Sequence, residues 1–455
     1  MQNSTKMLGE APVGSLLFKL ALPAIIAQIV NLLYNVVDRI FIGNIPLIGQ
    51  AALTGVGVCV PLIFLISAFA AFVSMGGAPR ASIALGRGDR EEAERILANC
   101  FFATVLLSAV LTVIFAVFAE PILLMFGASE NTVGYAVSYM RVYALGTVFV
   151  QVTLGMNAFI TAQGFARISM LTVIIGALIN LALDPLFIFV LDMGVQGAAL
   201  ATIISQAASA IWVVMFLLGR NTTLRLKTRY MSLKGKIIFP CLALGLSPFI
   251  MQSTESILAV CFNTSLLKYG GDVAVCTMTV LTSVWQFASM PLHGLTQGAQ
   301  PIISYNYGAG NAERCKGAFK LLLISCLSVA SVICLLAELF PQTFISMFNS
   351  DPELIEFAIP ALRIYIAACG IFGAQIACQQ TFIAIGNAKT SLFLALLRKV
   401  FLLIPLIYIL PELLADKTSA VFLAEPIADT LAVATTVTLF VLQFSKAMKR
   451  MESAK

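Results

Sequence analysis

Four polar residues, Gln28, Asn31, Asn35 and Asp38, recur at steps of three and four inside an apolar stretch. That spacing puts all four on one face of a helix. Further along, Asn180 and Asp184 stand one turn apart with Pro185 next. The proline removes a backbone donor and crowds the preceding turn, freeing a carbonyl near the carboxylate to act as a ligand. Thr202 with Gln206, and Thr153 with Asn157 and Thr161, add neutral oxygens from two more stretches. Two carboxylates among neutral oxygens in a poorly hydrated setting suit a monovalent cation. The pair can share one proton as a unit, or Na⁺, a hard ion, can take the oxygens of Asp38, Asn180, Asp184 and Thr202. Asp38 beside Arg39 also fits an interfacial anchor, and Asp184 a capped kink.

A second group lies in the other half of the chain. Glu255 stands among Gln252, Thr254 and Ser256, the next stretch lines up Gln286, Ser289, His293, Gln297 and Gln300, and Gln375, Gln379 and Gln380 follow. Facing a common cleft, these would form an apolar cavity with a single fixed acid, which favours large amphiphilic cations. His293, the only histidine, fits a neutral hydrogen-bonded role better than a proton carrier. Arg141 and Arg363 read as matching structural clamps. Asp429, which follows Glu425-Pro426, is a candidate for burial.

The elements that must position these residues span a membrane. Hydrophobic residues are 60% of the 455, charged residues 11%, and mean hydropathy is +0.96, far from a soluble domain of this length. Apolar runs long enough to cross a ~30 Å hydrocarbon layer fall at 16–43, 50–79, 96–118, 133–160, 166–190, 196–219, 237–267, 273–300, 317–340, 353–385, 390–411 and 418–445. A lipid-facing carboxylate or amide is costly, so the polar residues above must turn inward.

The two halves repeat at an offset of about 222 residues: Pro79 returns as Pro301, Gly86 and Gly88 as Gly308 and Gly310, Arg141 as Arg363, Gly164 as Gly386. Equivalent spans are six apart and so run in the same direction, a parallel repeat about an axis along the membrane normal. The expected fold is all-α and polytopic: twelve transmembrane helices in two six-helix lobes, 1–219 and 237–455, joined by a basic cytoplasmic linker, 220–236. Lobes so joined can rock about a central cleft, with the linker tolerating small insertions and Pro23 as the alternative hinge.

Connections after even-numbered spans are basic, among them Arg80, Arg87, Arg90 and Arg95, then Arg225, Lys227 and Arg229, then Lys446 and Lys449. Connections after odd-numbered spans hold only Lys268 and Lys417 with several acids. The positive-inside rule then makes both termini cytoplasmic, and the +6 net charge is a topology signal, not a nucleic-acid footprint. The first apolar stretch is too long for a signal-peptide core and lacks a cleavage site, so it is expected to stay.

Several chemistries are excluded. One histidine rules out HExxH and His-rich metal sites, no GxSxG elbow occurs, and Gly386-Asn387-Ala388-Lys389-Thr390-Ser391 lacks the glycine a Walker motif needs before its lysine. The ten cysteines form no CxxC pair and read as small apolar packers. Asn221-Thr222-Thr223 fits a glycosylation sequon but falls on the cytoplasmic side. Asp89, with Glu92 three residues on, reads as a helix cap.

The stretch Val36 to Gly43, the stretch Asn180 to Pro185, and Gln300-Pro301-Ile302-Ile303-Ser304-Tyr305-Asn306-Tyr307-Gly308-Ala309-Gly310-Asn311 together resemble the multidrug and toxic compound extrusion (MATE) transporters, in particular the MepA-like branch. The resemblance covers nearly the whole chain. It implies a multi-pass antiporter of a bacterial inner membrane that exports organic cations in exchange for Na⁺ or H⁺, working as a monomer without a cofactor and without nucleic acid. By position, Asp38 resembles the family's span 1 acid, Asn180, Asp184 and Thr202 its partners in a first-lobe cation site, and Asn157 a neighbouring polar residue expected to bind substrate. Glu255 resembles a span 7 acid used by the NorM-like branch, and Gln286, His293, Gln297 and Gln379 are expected to meet substrate with it. Span 10 departs from the NorM pattern, holding glutamines and no acid. A lipid-linked oligosaccharide flippase of the same superfamily is the rival; more cationic residues would then line the cavity. An intramembrane enzyme would need clustered catalytic acids or histidine in a loop, which the chain lacks.

Overall fold

The computed structural model describes residues 3–348 and 351–453, all helix and connection, with no strand among them. The elements are α1 (Asn3–Glu10), α2 (Val13–Gly43), α3 (Gly49–Gly86), α4 (Arg90–Val117), α5 (Ala119–Met125), α6 (Val133–Leu145), α7 (Thr147–Ala162), α8 (Ala166–Pro185) and α9 (Gly194–Leu218). After the linker come α10 (Gly235–Gly308), α11 (Ala312–Leu339), α12 (Pro341–Ser346), α13 (Pro352–Tyr365), α14 (Cys369–Ala384), α15 (Ala388–Leu396), α16 (Ile404–Leu413) and α17 (Lys417–Ser453).

Nine of these helices, some with their π-helical continuations, are long and apolar enough to cross a membrane alone, and two bent pairs, α6 with α7 and α13 with α14, make one crossing each. The 74 residues of α10 would extend ~110 Å as one rod, far beyond a bilayer. Its backbone breaks at Gly271, whose φ of 66° is the left-handed region, so it folds into two crossings. The total is the twelve expected. Large apolar side chains face outward all round: Phe18, Val113, Met215, Phe239, Leu335 and Val441 are each at least 60% exposed, a surface that suits lipid and not water.

The duplication has a backbone reason. Gly88 (φ 83°) and Gly310 (φ 70°) turn the chain in the left-handed region, which a Cβ disfavours. Asp89 and Asn311, the next residues, then cap α4 and α11 by accepting from Glu92 N at 2.8 Å and Arg314 N at 3.2 Å. The bends also repeat, 57° between α6 and α7 and 49° between α13 and α14. Hydropathy does not register a bend inside an apolar run, so spans 4 and 10 read as continuous.

Packing shows which end of the cleft is closed. Two apolar clusters, one around Val56, Tyr139 and Ile188 and one around Phe262, Leu362 and Phe422, each draw on a single lobe. They lie at the end away from the basic connections. At the basic end the clusters mix lobes: Cys241 and Ile238 pack with Leu97 and Phe159, and Leu16 and Leu20 pack with Ile302 and Leu322. There α3 and α10 approach backbone to backbone. A Cβ on Gly86 would sit 2.0 Å from Tyr305 O, and one on Gly308 2.0 Å from Ile83 O. Both pairs are related by the 222-residue repeat.

The linker is not a loose tether. The Gln163 side-chain oxygen accepts from Thr222 Oγ1 (2.8 Å), Thr223 N (3.0 Å) and Leu224 N (2.8 Å). Lys227 Nζ meets buried Glu94 at 2.5 Å, and Lys234 N donates to Asn99 Oδ1 at 2.8 Å. Residues 222–234 are thus docked on the first lobe, and the expected tolerance to insertion does not fit that segment, because lengthening it would strand buried donors. Gln163→Ala leaves the Thr223 and Leu224 backbone N–H groups without an acceptor, while the Thr222 hydroxyl keeps Leu224 O at 2.9 Å, and is expected to destabilise the protein by ~1–3 kcal/mol, read as a lower midpoint for thermal loss of monodispersity in detergent.

Candidate functional site

The first-lobe acids come together. α2 packs on α8 and touches α9, and this brings the carboxyl groups of Asp38 and Asp184 within hydrogen-bonding reach of each other. Asn180 Nδ2 donates to Asp184 Oδ1 at 3.0 Å, as expected for residues one turn apart. Asn180 and Asp184 are fully buried. Asp38 Oδ1 and Asp184 Oδ2 are buried with no hydrogen-bond partner, an arrangement that is costly unless a proton or cation completes it. After Pro185 the chain widens into a π turn, Leu186–Val190, the backbone irregularity the proline predicts.

Thr202 is buried on α9, which packs on α8 and touches α2. Its hydroxyl donates to Ala198 O at 3.0 Å, which leaves its oxygen lone pairs available, and the Tyr139 hydroxyl is within its reach. Two carboxylates and neutral oxygens are the hard donor set that Na⁺ takes. Asn157 is not part of this group. Its Nδ2 donates to Ser169 O at 3.3 Å, and Ser169 precedes Asn180 by ~16 Å of helix. Asn157 instead ties α7 to α8, with its own Oδ1 left buried and unpartnered.

The second lobe differs from the expected cavity with one fixed acid. Glu255 on α10 does face open space, its side chain 63% exposed, but it is ion-paired to Lys399 Nζ, whose side chain is only 4% exposed. Lys399 also donates to Met251 O at 2.7 Å. Next to it, Arg398 bonds Asp429 Oδ1 at 2.6 Å and Glu425 Oε1 at 2.8 Å, all three buried. Its guanidinium lies 4.5 Å from the centre of the Phe372 ring. Arg398 and Lys399 sit on a π-helical segment, Leu397–Leu403, between α15 and α16. The sequence reading found Glu255 and Asp429 but missed Arg398, Lys399 and the role of Glu425. The signal was present: two bases inside an apolar span are as costly as two acids, and the same rule applies to them.

A cavity at this place is lined by Met251, His293, Gln375, Gln379, Arg398 and Lys399, among others. His293 and Gln286 are exposed and Gln297 half-buried on the second arm of α10. Gln379 is committed to structure: its Nε2 donates to Ser391 O at 2.8 Å and to Ser247 Oγ at 3.0 Å, clamping α14, α15 and α10. Only its carbonyl oxygen, buried and unpartnered, remains. Arg363 pairs loosely with Glu338 at 3.7 Å; position 116, the counterpart of Glu338 in the first half, is alanine, so this ion pair is not repeated at Arg141.

Twelve crossings in two repeated lobes, a cleft closed at one end and a buried polar site in each lobe define the fold of a two-lobed membrane transporter. The MatE family profile matches residues 23–186 and 248–409, one stretch in each half, and the chain belongs to that family. It is 24% identical over 426 residues to the multidrug export protein MepA of Staphylococcus haemolyticus, 93% of each chain being covered. To MepA of Staphylococcus aureus strain N315 it is 22% identical over 405 residues, covering 89% of this chain and 88% of that one. Among solved structures, an outward-facing multidrug resistance MATE family transporter of the MOP superfamily superposes with a TM-score of 0.91 at 22% identity, covering 98% of both chains. A MATE protein in the bent conformation gives 0.92 at 22% identity, with 99% of both chains covered.

Proposed function

We propose that this chain is a secondary active multidrug exporter of amphiphilic organic cations, driven by exchange for Na⁺ or H⁺ at Asp38 and Asp184. The single observation that carries the coupling is the pair of buried, partnerless carboxylate oxygens, Asp38 Oδ1 and Asp184 Oδ2, on helices that face each other. Asn180 and Thr202 would complete the shell around either ion. Family membership and the names of the staphylococcal relatives support export of drugs.

On this reading the chain sits in a bacterial cytoplasmic membrane as a monomer, since both lobes and the cleft belong to one chain. The basic end, with both termini, faces the cytoplasm. The closed basic end then corresponds to the outward-facing state, and the exposed carboxylate of Glu255 meets the cation in the open cleft.

Proteoliposomes loaded with ethidium test the proposal, with a Na⁺ gradient and a pH gradient imposed separately. One gradient is expected to drive uphill efflux, and collapsing it should stop efflux. A protein that moves a labelled lipid-linked sugar and leaves ethidium in place would be a flippase instead.

A further inference from the structure

We infer that Lys399 is a built-in stand-in for the substrate cation: it occupies Glu255 when the second-lobe site is empty and retreats toward Glu425 and Asp429 when a monovalent organic cation enters. The inference rests on the exporter reading above and adds a residue that sets which cations bind and how they leave.

Three observations carry it. The first is the asymmetry of the ion pair, with the Glu255 side chain 63% exposed and the Lys399 side chain 4% exposed. One face of the Glu255 carboxylate stays open to a second cation.

The second is the charge count. Glu255, Glu425 and Asp429 face Arg398 and Lys399, so with every group ionised the cluster carries one negative charge in excess. His293 on α10 and Tyr365 on α13 border it. Arg398 alone serves both Glu425 and Asp429, and the charge of Lys399 reaches both carboxylates. An ammonium that leaves Glu255 therefore has a buried destination short of one positive charge. Without such a destination its release would leave a buried cation unpaired, which is strongly unfavourable.

The third is the setting of Lys399. It sits on a π-helical segment, whose extra residue per turn loosens local packing and is frequent at functional sites. Its second partner is a single carbonyl, Met251 O at 2.7 Å. An organic monocation at Glu255 balances the cluster to zero, whereas a dication overcharges it. Return of Lys399 to Glu255 then helps expel the bound cation.

Ethidium binding to the purified full chain in lipid nanodiscs, followed by fluorescence anisotropy, tests this. Lys399→Met is expected to bind ethidium about tenfold more tightly or better, since the competitor is gone, and to show KM and kcat for efflux falling together as release slows. The gain should vanish when Glu255→Gln is already present, the signature of a coupled pair. Lys399→Arg keeps the charge and grips the carboxylate with a planar fork, so it should bind ethidium more weakly than wild type. Should Lys399→Met not fold, the Lys399→Arg arm decides alone. Ethidium affinity unchanged or lowered in Lys399→Met, or unchanged in Lys399→Arg, overturns the stand-in. Wild-type protein that neither binds nor moves ethidium overturns the exporter reading as well.

Discussion

Asp38→Asn and Asp184→Asn are each expected to abolish gradient-driven efflux, a loss of at least ~100-fold, while the protein still folds and inserts. Each substitution is isosteric and removes the charge that makes the site bind an ion. Asn180 and Thr202 cannot replace it, because neutral oxygens alone do not compensate a desolvated cation. Stability should be kept or raised, since a buried carboxylate is the costlier group and an asparagine at 184 keeps an oxygen to accept from Asn180 Nδ2. The measurement pairs ethidium efflux under each gradient with size-exclusion profiles of the same preparations. Full coupled transport by either variant would remove that acid from the mechanism. Facilitated downhill leakage that persists in both, with uphill transport gone, is the expected mark of a coupling site separated from the drug path.

The second large effect concerns the closed end of the cleft. Gly86→Val and Gly308→Val should each reduce efflux by more than ~100-fold by holding the basic end open. Their first added atom would stand 2.0 Å from Tyr305 O or Ile83 O, and that neighbour is backbone, which has no rotamer to move aside. Moving a two-state equilibrium from mostly one state to mostly the other takes ~5.5 kcal/mol, well within the cost of such an overlap. Gly88→Ala is the control. Its Cβ would meet nothing within 4 Å, so it carries only the left-handed backbone penalty of ~1–2 kcal/mol and should transport nearly normally. Spin labels at the basic ends of α3 and α10 read the separation. A short-distance population in Gly308→Val equal to wild type would show that the lobes do not close there.

Each lobe has a π-helical stretch on its fifth crossing, the chain's fifth and eleventh, with Asp184 beside the first stretch and Arg398 and Lys399 within the second, yet the chemistry differs. In the first lobe the charges are two acids, Asp38 on the first crossing and Asp184 on the fifth. In the second the crossing brings in Arg398 and Lys399, and the cluster holds most of its own counter-charge. A duplicated scaffold carries two different answers to the cost of burying charge, and this division fits an ion site in one lobe and a drug counter-ion in the other.

The amino-acid sequence by itself determined the number of crossings, the duplication, the basic and acidic ends, and the first-lobe pair. These are properties of short stretches. Crossings follow from runs of about twenty apolar residues, charge asymmetry from the loops between them, and the faces bearing Asp38, Asn180 and Asp184 from helical spacing. An acid in an apolar helix must turn inward, and in a six-helix lobe two inward acids at similar depth meet. Tertiary structure alone decided the rest. The partner of Glu255 lies 144 residues away, and those of Arg398 lie 27 and 31 residues on, across a chain reversal. No local pattern says which of several inward charges will pair. The bends of 57° and 49° leave hydropathy unchanged, and the contacts of Gly86 and Gly308 depend on helices from opposite lobes. Gln379, whose type suited a drug contact, is held by Ser391 and Ser247, because a buried amide is committed wherever packing offers it a carbonyl or hydroxyl.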